Sequence, residues 1–207
     1  MSSFSHYRIV WLKLPTLEIE YYSIRDMPIK QFSKEELLQK YGKLVGPQPN
    51  NGDKSILFRL ATQFKEQAKI MLAVDGELLT IAMLLSEDKI LHMLPLHFAD
   101  NDHKYAVMEI VAQEVERRRA TAIIVVGEVW VAPFDPNAPY RRAIDCPEKT
   151  EAIQVAALSK SGEEFTYCVP FGKNEEKILF GEETISEMPS NFLVPVKKIW
   201  AKPTRRL

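Results

Sequence analysis

The spacing of apolar and polar residues changes period along this chain, and each change predicts an element. In 17–24, LEIEYYSI, Leu17, Ile19 and Tyr21 alternate with Glu18, Glu20 and Tyr22, the period of two of a half-buried strand. Residues 7–14, YRIVWLKL, read as its partner across Pro15-Thr16, so a β-hairpin is expected at the N-terminus. Ser33 with Glu36 three residues later is a capping box, opening a short helix to about Tyr41 that Gly42 stops. GPQPNNG at 46–52 consists of turn formers apart from Gln48 and separates this piece from the main body.

Beyond the linker the period lengthens. Asp53 is the expected N-cap of a helix that places Ile56, Leu57, Leu60, Ala61, Phe64 and Ala68 on one face. Asp75-Gly76 is a hairpin dipeptide, so strands are expected at 70–74, 77–85 and 89–97, with Ser86-Glu87-Asp88 as the second turn. Residues 103–119 return to the helical period through Tyr105, Val107, Met108, Val111, Ala112 and Val115. They end in Arg117-Arg118-Arg119, positive charge at the end of the helix that favours it. The stretch 120–133, ATAIIVVGEVWVAP, holds the longest β-branched run and is the expected central strand. A loop with four prolines follows, from Pro133 to Thr150. Residues 151–159 and 163–171 form a hairpin around Lys160-Ser161-Gly162, a short strand covers 176–181, and the tail from Val194 is expected to be extended.

The main body thus has the order α-β-β-β-α-β-β-β after an N-terminal hairpin and short helix. That order predicts an α+β fold, a mostly antiparallel sheet with helices packed on one face. The expected organisation is an N-terminal piece over 1–46, a linker over 47–52, a sheet domain over 53–190 and a basic tail over 191–207. The order of elements also resembles profilin-like and roadblock-like modules, an analogy of order alone.

Composition changes the picture mainly by exclusion. A chain of 207 residues can bury a core without disulfide staples. Lys plus Arg, 27, nearly balances Asp plus Glu, 28, so binding to nucleic acid or a membrane surface would need a local patch. Cys146 and Cys168 form no framework and no metal spacing, and read as free thiols of a reducing, cytoplasmic compartment. The opening MSSFSHYRIVWLKL lacks the basic start of a signal peptide, and no apolar run approaches the roughly 18 residues of a membrane span. No Gly-rich phosphate loop and no Gly-x-Ser-x-Gly elbow occurs, and no cofactor is implied.

Candidate chemistry gathers at the end of the central strand. Glu128 and Trp130 are two residues apart, so in a strand they share a face. One reading is a rim glutamate beside a tryptophan that caps the core. The other is a carboxylate in an aromatic-lined pocket, with Asp145 or Glu151 as its catalytic partner. The Glu128-Val129-Trp130 strand end, the loop, and Pro147-Glu148-Lys149-Thr150-Glu151 leading into a hairpin resemble a family of uncharacterised bacterial proteins with no assigned activity. The resemblance spans about residues 53–181 and implies a shared fold and a Glu128–Trp130–Lys149–Glu151 cluster. Lys149 stands where that family usually has arginine, which removes bidentate pairing at that position. Read from the residues alone, Lys149 can pair with Glu128 or Glu151 and pin the long loop back on the sheet.

Three weaker patterns remain. Asp75 with Glu87-x-Lys89 superficially fits a metal-dependent nuclease, but the latter two fall in an expected turn. His92, His97 and His103 share no metal spacing and read as rim residues. Lys197, Lys198, Lys202, Arg205 and Arg206, with Trp200 among them, could bind nucleic acid or pair with the chain's own acidic stretch over 163–187.

These features leave three functions, in this order. The first is a non-catalytic interaction or assembly module that self-associates. The second is a hydrolase or nuclease built on Glu128. The third is nucleic-acid binding through the basic tail.

Overall fold

The computed structural model describes residues 34–42, 54–98, 101–139, 141–174, 177–187 and 190–201. The expected hairpin over 7–24, the linker, Ser33, Asp53, Lys202, Arg205 and Arg206 lie outside them. The chain divides into two units, Met1–Val45 and Gly46–Leu207. In the first, helix α1 (Lys34–Tyr41) forms where expected and buries Leu37 and Tyr41, one turn apart on a single face.

The second unit opens with helix α2 (Ile56–Asp75). Ser55 caps it by accepting a hydrogen bond from the Phe58 amide at 3.0 Å, and the Ser55 hydroxyl donates to Glu163 in a later turn. The expected strand at 70–74 is instead the last turns of this helix. Gly76 explains the difference: at φ 76° it is a left-handed C-cap whose N–H reaches the Leu72 carbonyl at 2.9 Å. A glycine free to adopt positive φ serves a hairpin and a helix end equally well.

Strands β1 (Ile81–Ser86) and β2 (Lys89–Pro95) follow, then helix α3 (Asn101–Arg118) and the central strand β3 (Ala122–Val131). Strands β4 (Thr150–Ser159), β5 (Glu164–Lys173), β6 (Ile178–Phe180) and β7 (Thr184–Ser186) complete the sheet. Helix α4 (Val194–Ala201) comes last. Among the described residues the seven strands form one antiparallel sheet in the order β2-β1-β3-β4-β5-β6, with β7 also pairing β5. This is the α+β architecture expected. The edge strand β2 is blunted by a bulge at Leu91, where Leu84 pairs with His92 but Leu85 pairs with Ile90.

The helices occupy both faces of the sheet and not one. Ala61, Ala68 and Leu72 of α2 pack on Met83, Ile124, Val126, Val155 and Tyr167. Met108, Val111 and Val115 of α3, with Leu193 just before α4 and Val196 within it, pack on Leu84, Ile123, Val125 and Leu158. The unbroken apolar run Ile123–Val126 is the reason, since every one of its side chains is buried and successive ones point to opposite faces. The expected extended tail is also corrected, because residues 191–201 form a 3-10 turn and α4 inside this second core.

Candidate functional site

The parity of β3 carries Glu128 and Trp130 onto the α2 face, in line with Ile124 and Val126. Glu151 of β4 lies directly opposite Trp130, and Phe171 of β5 directly opposite Glu151. Lys173, two residues further along β5, supplies the charge. Its Nζ stands 3.5 Å from Glu128 Oε2 and 3.7 Å from Glu151 Oε1. The other oxygen of Glu128 accepts a hydrogen bond from the Leu78 amide, in the segment that leaves α2. Glu128 therefore fastens the exit of α2 and the end of β5 to the central strand.

Lys149 makes neither of the carboxylate pairs its sequence position suggested. Its Nζ lies 5.0 Å from the Trp130 ring centroid and donates to the Ile144 carbonyl at 2.6 Å. It ties the loop to the strand through an aromatic face. Asp145 is engaged inside the loop, accepting from Arg142 Nε at 2.7 Å and Nη2 at 3.1 Å. Those hydrogen bonds, with a smaller influence from Lys149, hold the Asp145 carboxyl below its ordinary range. Glu128, Trp130 and Glu151 are thus brought together, and Asp145 belongs to a separate pair. Lys173 was missed because its partners lie on other strands. Fixing the hairpin register from the Gly162 turn would have placed it on the Phe171 side of the sheet, beyond Glu151.

The loop leaves Trp130 partly exposed. It is a succession of tight turns closed by Ala138 N–H to Asp135 O at 3.1 Å, Arg141 N–H to Ala138 O at 3.0 Å and Cys146 N–H to Ala143 O at 3.0 Å. These turns border a half-open cleft of about 360 Å³ lined by Phe134, Pro136, Arg141, Cys146 and Glu148 among others, and neither Glu128 nor Trp130 lines it. Among the described residues of the loop, Phe134 is 77% exposed and Ile144 48%, and Trp130 at the end of β3 is 43% exposed.

The basic clusters have partners of their own. Lys197 donates to Glu164 Oε2 at 2.6 Å, while Glu164 Oε1 accepts from the Ser190 amide at 2.8 Å. Trp200 Nε1 donates to the Ala120 carbonyl at 3.1 Å, so its ring belongs to the packing of α4. Arg117 and Arg118 both bind Glu114, and Lys198 is exposed. Asp75 and Glu87 fall at opposite ends of the sheet: the 20-residue helix α2 separates Asp75 from Ser55, which touches the Glu163 turn, and Glu87 meets Thr121 at that same end. Among the described residues no group of three His, Cys, Asp or Glu is placed to hold a metal ion. His92 is pushed below its ordinary value, first by burial and then by Arg118.

Over residues 16–206 the chain matches the model of the family described as bacteriophage lambda protein ea47, and it belongs to that family. The family shown is one of phage proteins, and its description names no reaction; the Glu-x-Trp and Pro-x-Lys-x-Glu motifs are not part of what the match establishes. No curated protein and no solved structure matches the chain. Among the described residues no helix is long and apolar enough to cross a membrane.

Proposed function

We propose that this member of the phage ea47 family is a non-catalytic interaction module, and that its contact surface is the loop between β3 and β4. The observation that carries this reading is the exposure of Phe134 and Ile144 on a loop that its own turns hold in shape, with Arg141 beside Phe134 in the loop cleft and Trp130 exposed at the strand end that leads into it. Exposed aromatics beside arginine have the composition of protein-contact hot spots, and a preshaped loop loses little entropy on docking. Self-association is the form of contact we favour. The blunted β2 edge argues against assembly by sheet extension and for contact through the loop. Two free thiols, Cys146 and Cys168, fit a cytoplasmic setting.

Two further observations favour this reading over the alternatives. Both oxygens of Glu128 are engaged, one by the Leu78 amide and one by Lys173, and a catalytic role would require breaking those contacts. Lys197 is committed to Glu164, which leaves α4 little charge to offer a nucleic acid. Size exclusion with light scattering on the full chain tests the proposal. A stable oligomer is expected, and a strictly monomeric chain that turns over a substrate would contradict it.

A further inference from the structure

The cleft in the loop between β3 and β4 carries a charge pattern suited to a copy of itself. Over 133–149 the chain has three acidic residues, Asp135, Asp145 and Glu148, and three basic ones, Arg141, Arg142 and Lys149. A surface of one sign repels its own copy, and a balanced one does not. Four of these six charges are engaged inside the loop. Arg142 binds Asp145, Lys149 binds the Ile144 carbonyl, and Asp135 accepts from the Asn137 amide at 2.9 Å. Arg141 and Glu148 remain, and both line the cleft. Among the described residues the Arg141 side chain makes no hydrogen bond, and its contact with Asp135 is long at 3.8 Å. Glu148 is exposed and, among the described residues, pairs with no cation.

Two opposite, unspent charges in one cleft are self-complementary about a two-fold axis. Rotation sets Arg141 of each copy against Glu148 of the other, so a single interface gains two pairs. The apolar part of the cleft is self-complementary too. Pro133, Pro136 and Pro147 line it, and the mostly exposed ring of Phe134 stands among them. We propose, building on the loop as the contact surface, that the occupant of this cleft is a second copy of the chain. The two form a two-fold dimer whose recognition pair is Arg141 of one protomer and Glu148 of the other. A guanidinium meets a carboxylate through two parallel hydrogen bonds, which fixes the register of the contact. Phe134 of each protomer packs on the proline-lined wall of the other.

Sedimentation equilibrium on the full chain tests this, with wild type, Arg141→Glu, Glu148→Arg, and the two variants mixed in equal amounts. Wild type is expected to dimerise, and less tightly as salt is raised. Each variant alone turns both attractive pairs into repulsive ones, so its dimer dissociation constant should rise by about tenfold or more. The mixture sets an acid against a base at both pairs again and should dimerise close to wild-type strength. Such recovery cannot arise from damaged folding of either variant. Single variants that dimerise as wild type does, or a mixture that stays dissociated, would overturn the pairing and leave the loop as the contact surface. A wild type that is monomeric at every concentration would overturn both.

Discussion

Lys173 and Glu128 form an ion pair of 3.5 Å between two strands that are not neighbours, with β4 and its Glu151 between them. The pair is partly solvated, so by itself it contributes no more than about 1 kcal/mol. The hydrogen bond from the Leu78 amide to the same carboxylate is charge-assisted and matters more. Glu128→Ala is expected to lose about 1–3 kcal/mol and lower the melting temperature by roughly 2–10 °C. Lys173→Met should cost under about 1 kcal/mol. Calorimetry of the two variants distinguishes them, and an unchanged melting temperature for Glu128→Ala would return that residue to a catalytic role.

Gly127, beside Glu128, is required for a different reason. A Cβ at this position would stand 2.4 Å from Thr80 Oγ1 and 2.9 Å from Thr80 Cβ. Gly127→Ala should therefore destabilise by about 1–3 kcal/mol through overpacking. The double variant Gly127→Ala, Thr80→Gly should recover part of that loss. Urea unfolding of both variants gives the comparison, and equal stability of the single variant and wild type would refute the close approach.

On the α2 face, Lys65 has a side chain only 5% exposed and bonds Glu183 just before β7 at 2.6 Å. Burial alone would push its pKa down, but the hydrogen bonds to Glu183 and Glu66 outweigh it and the folded-state value rises above 10.5. Burial likewise raises Tyr167, under the Lys65 ammonium, above its ordinary 10.0. Both groups bind protons more tightly in the folded state. Their contribution is complete below about pH 10 and is lost as pH rises through the folded-state values. Melting temperature should fall more steeply above pH 10 in wild type than in Glu183→Gln, which itself should be less stable at pH 8 by about 1–3 kcal/mol.

Removal of residues 191–207 should behave as a core deletion. Leu193 and Val196 are fully buried against the α3 side of the sheet. Their loss is expected to cost roughly 3–6 kcal/mol at about 1.5–3 kcal/mol per side chain. Denaturant titration of the truncated chain against the full one measures this. A truncated chain as stable as the full one, but no longer retained on nucleic acid at low salt, would restore the tail-binding reading.

How much was legible in the sequence followed how local each determinant was. The periods of α2, α3 and the central strand, and the turn at Gly162, are local and emerged where expected. Asp75-Gly76 misled because positive φ is all that either a hairpin or a helix end demands there, and the continuing helical spacing of Ala61, Ala68 and Leu72 decides for the helix. The tail expected to be extended is helical because Pro195 suits the second position of α4, where no intrahelical N–H is needed. At the candidate site, strand parity grouped Glu128 with Trp130, while Glu151 entered through the family resemblance and as one of two candidate partner acids. Lys173 and the Leu78 amide could not be grouped with them, because only the register of three strands and the path out of α2 bring them in.

Among the described apolar side chains of the loop, Phe134 is the most exposed. Phe134→Ser removes apolar surface without touching a packed contact, so stability should stay within about 0.5 kcal/mol of wild type. Light scattering over a range of micromolar concentrations, on wild type and Phe134→Ser side by side, is the most direct measurement. Wild type is expected to assemble and the variant to shift to monomer at an unchanged melting temperature. Identical association of the two would contradict the placement of the contact surface on this loop.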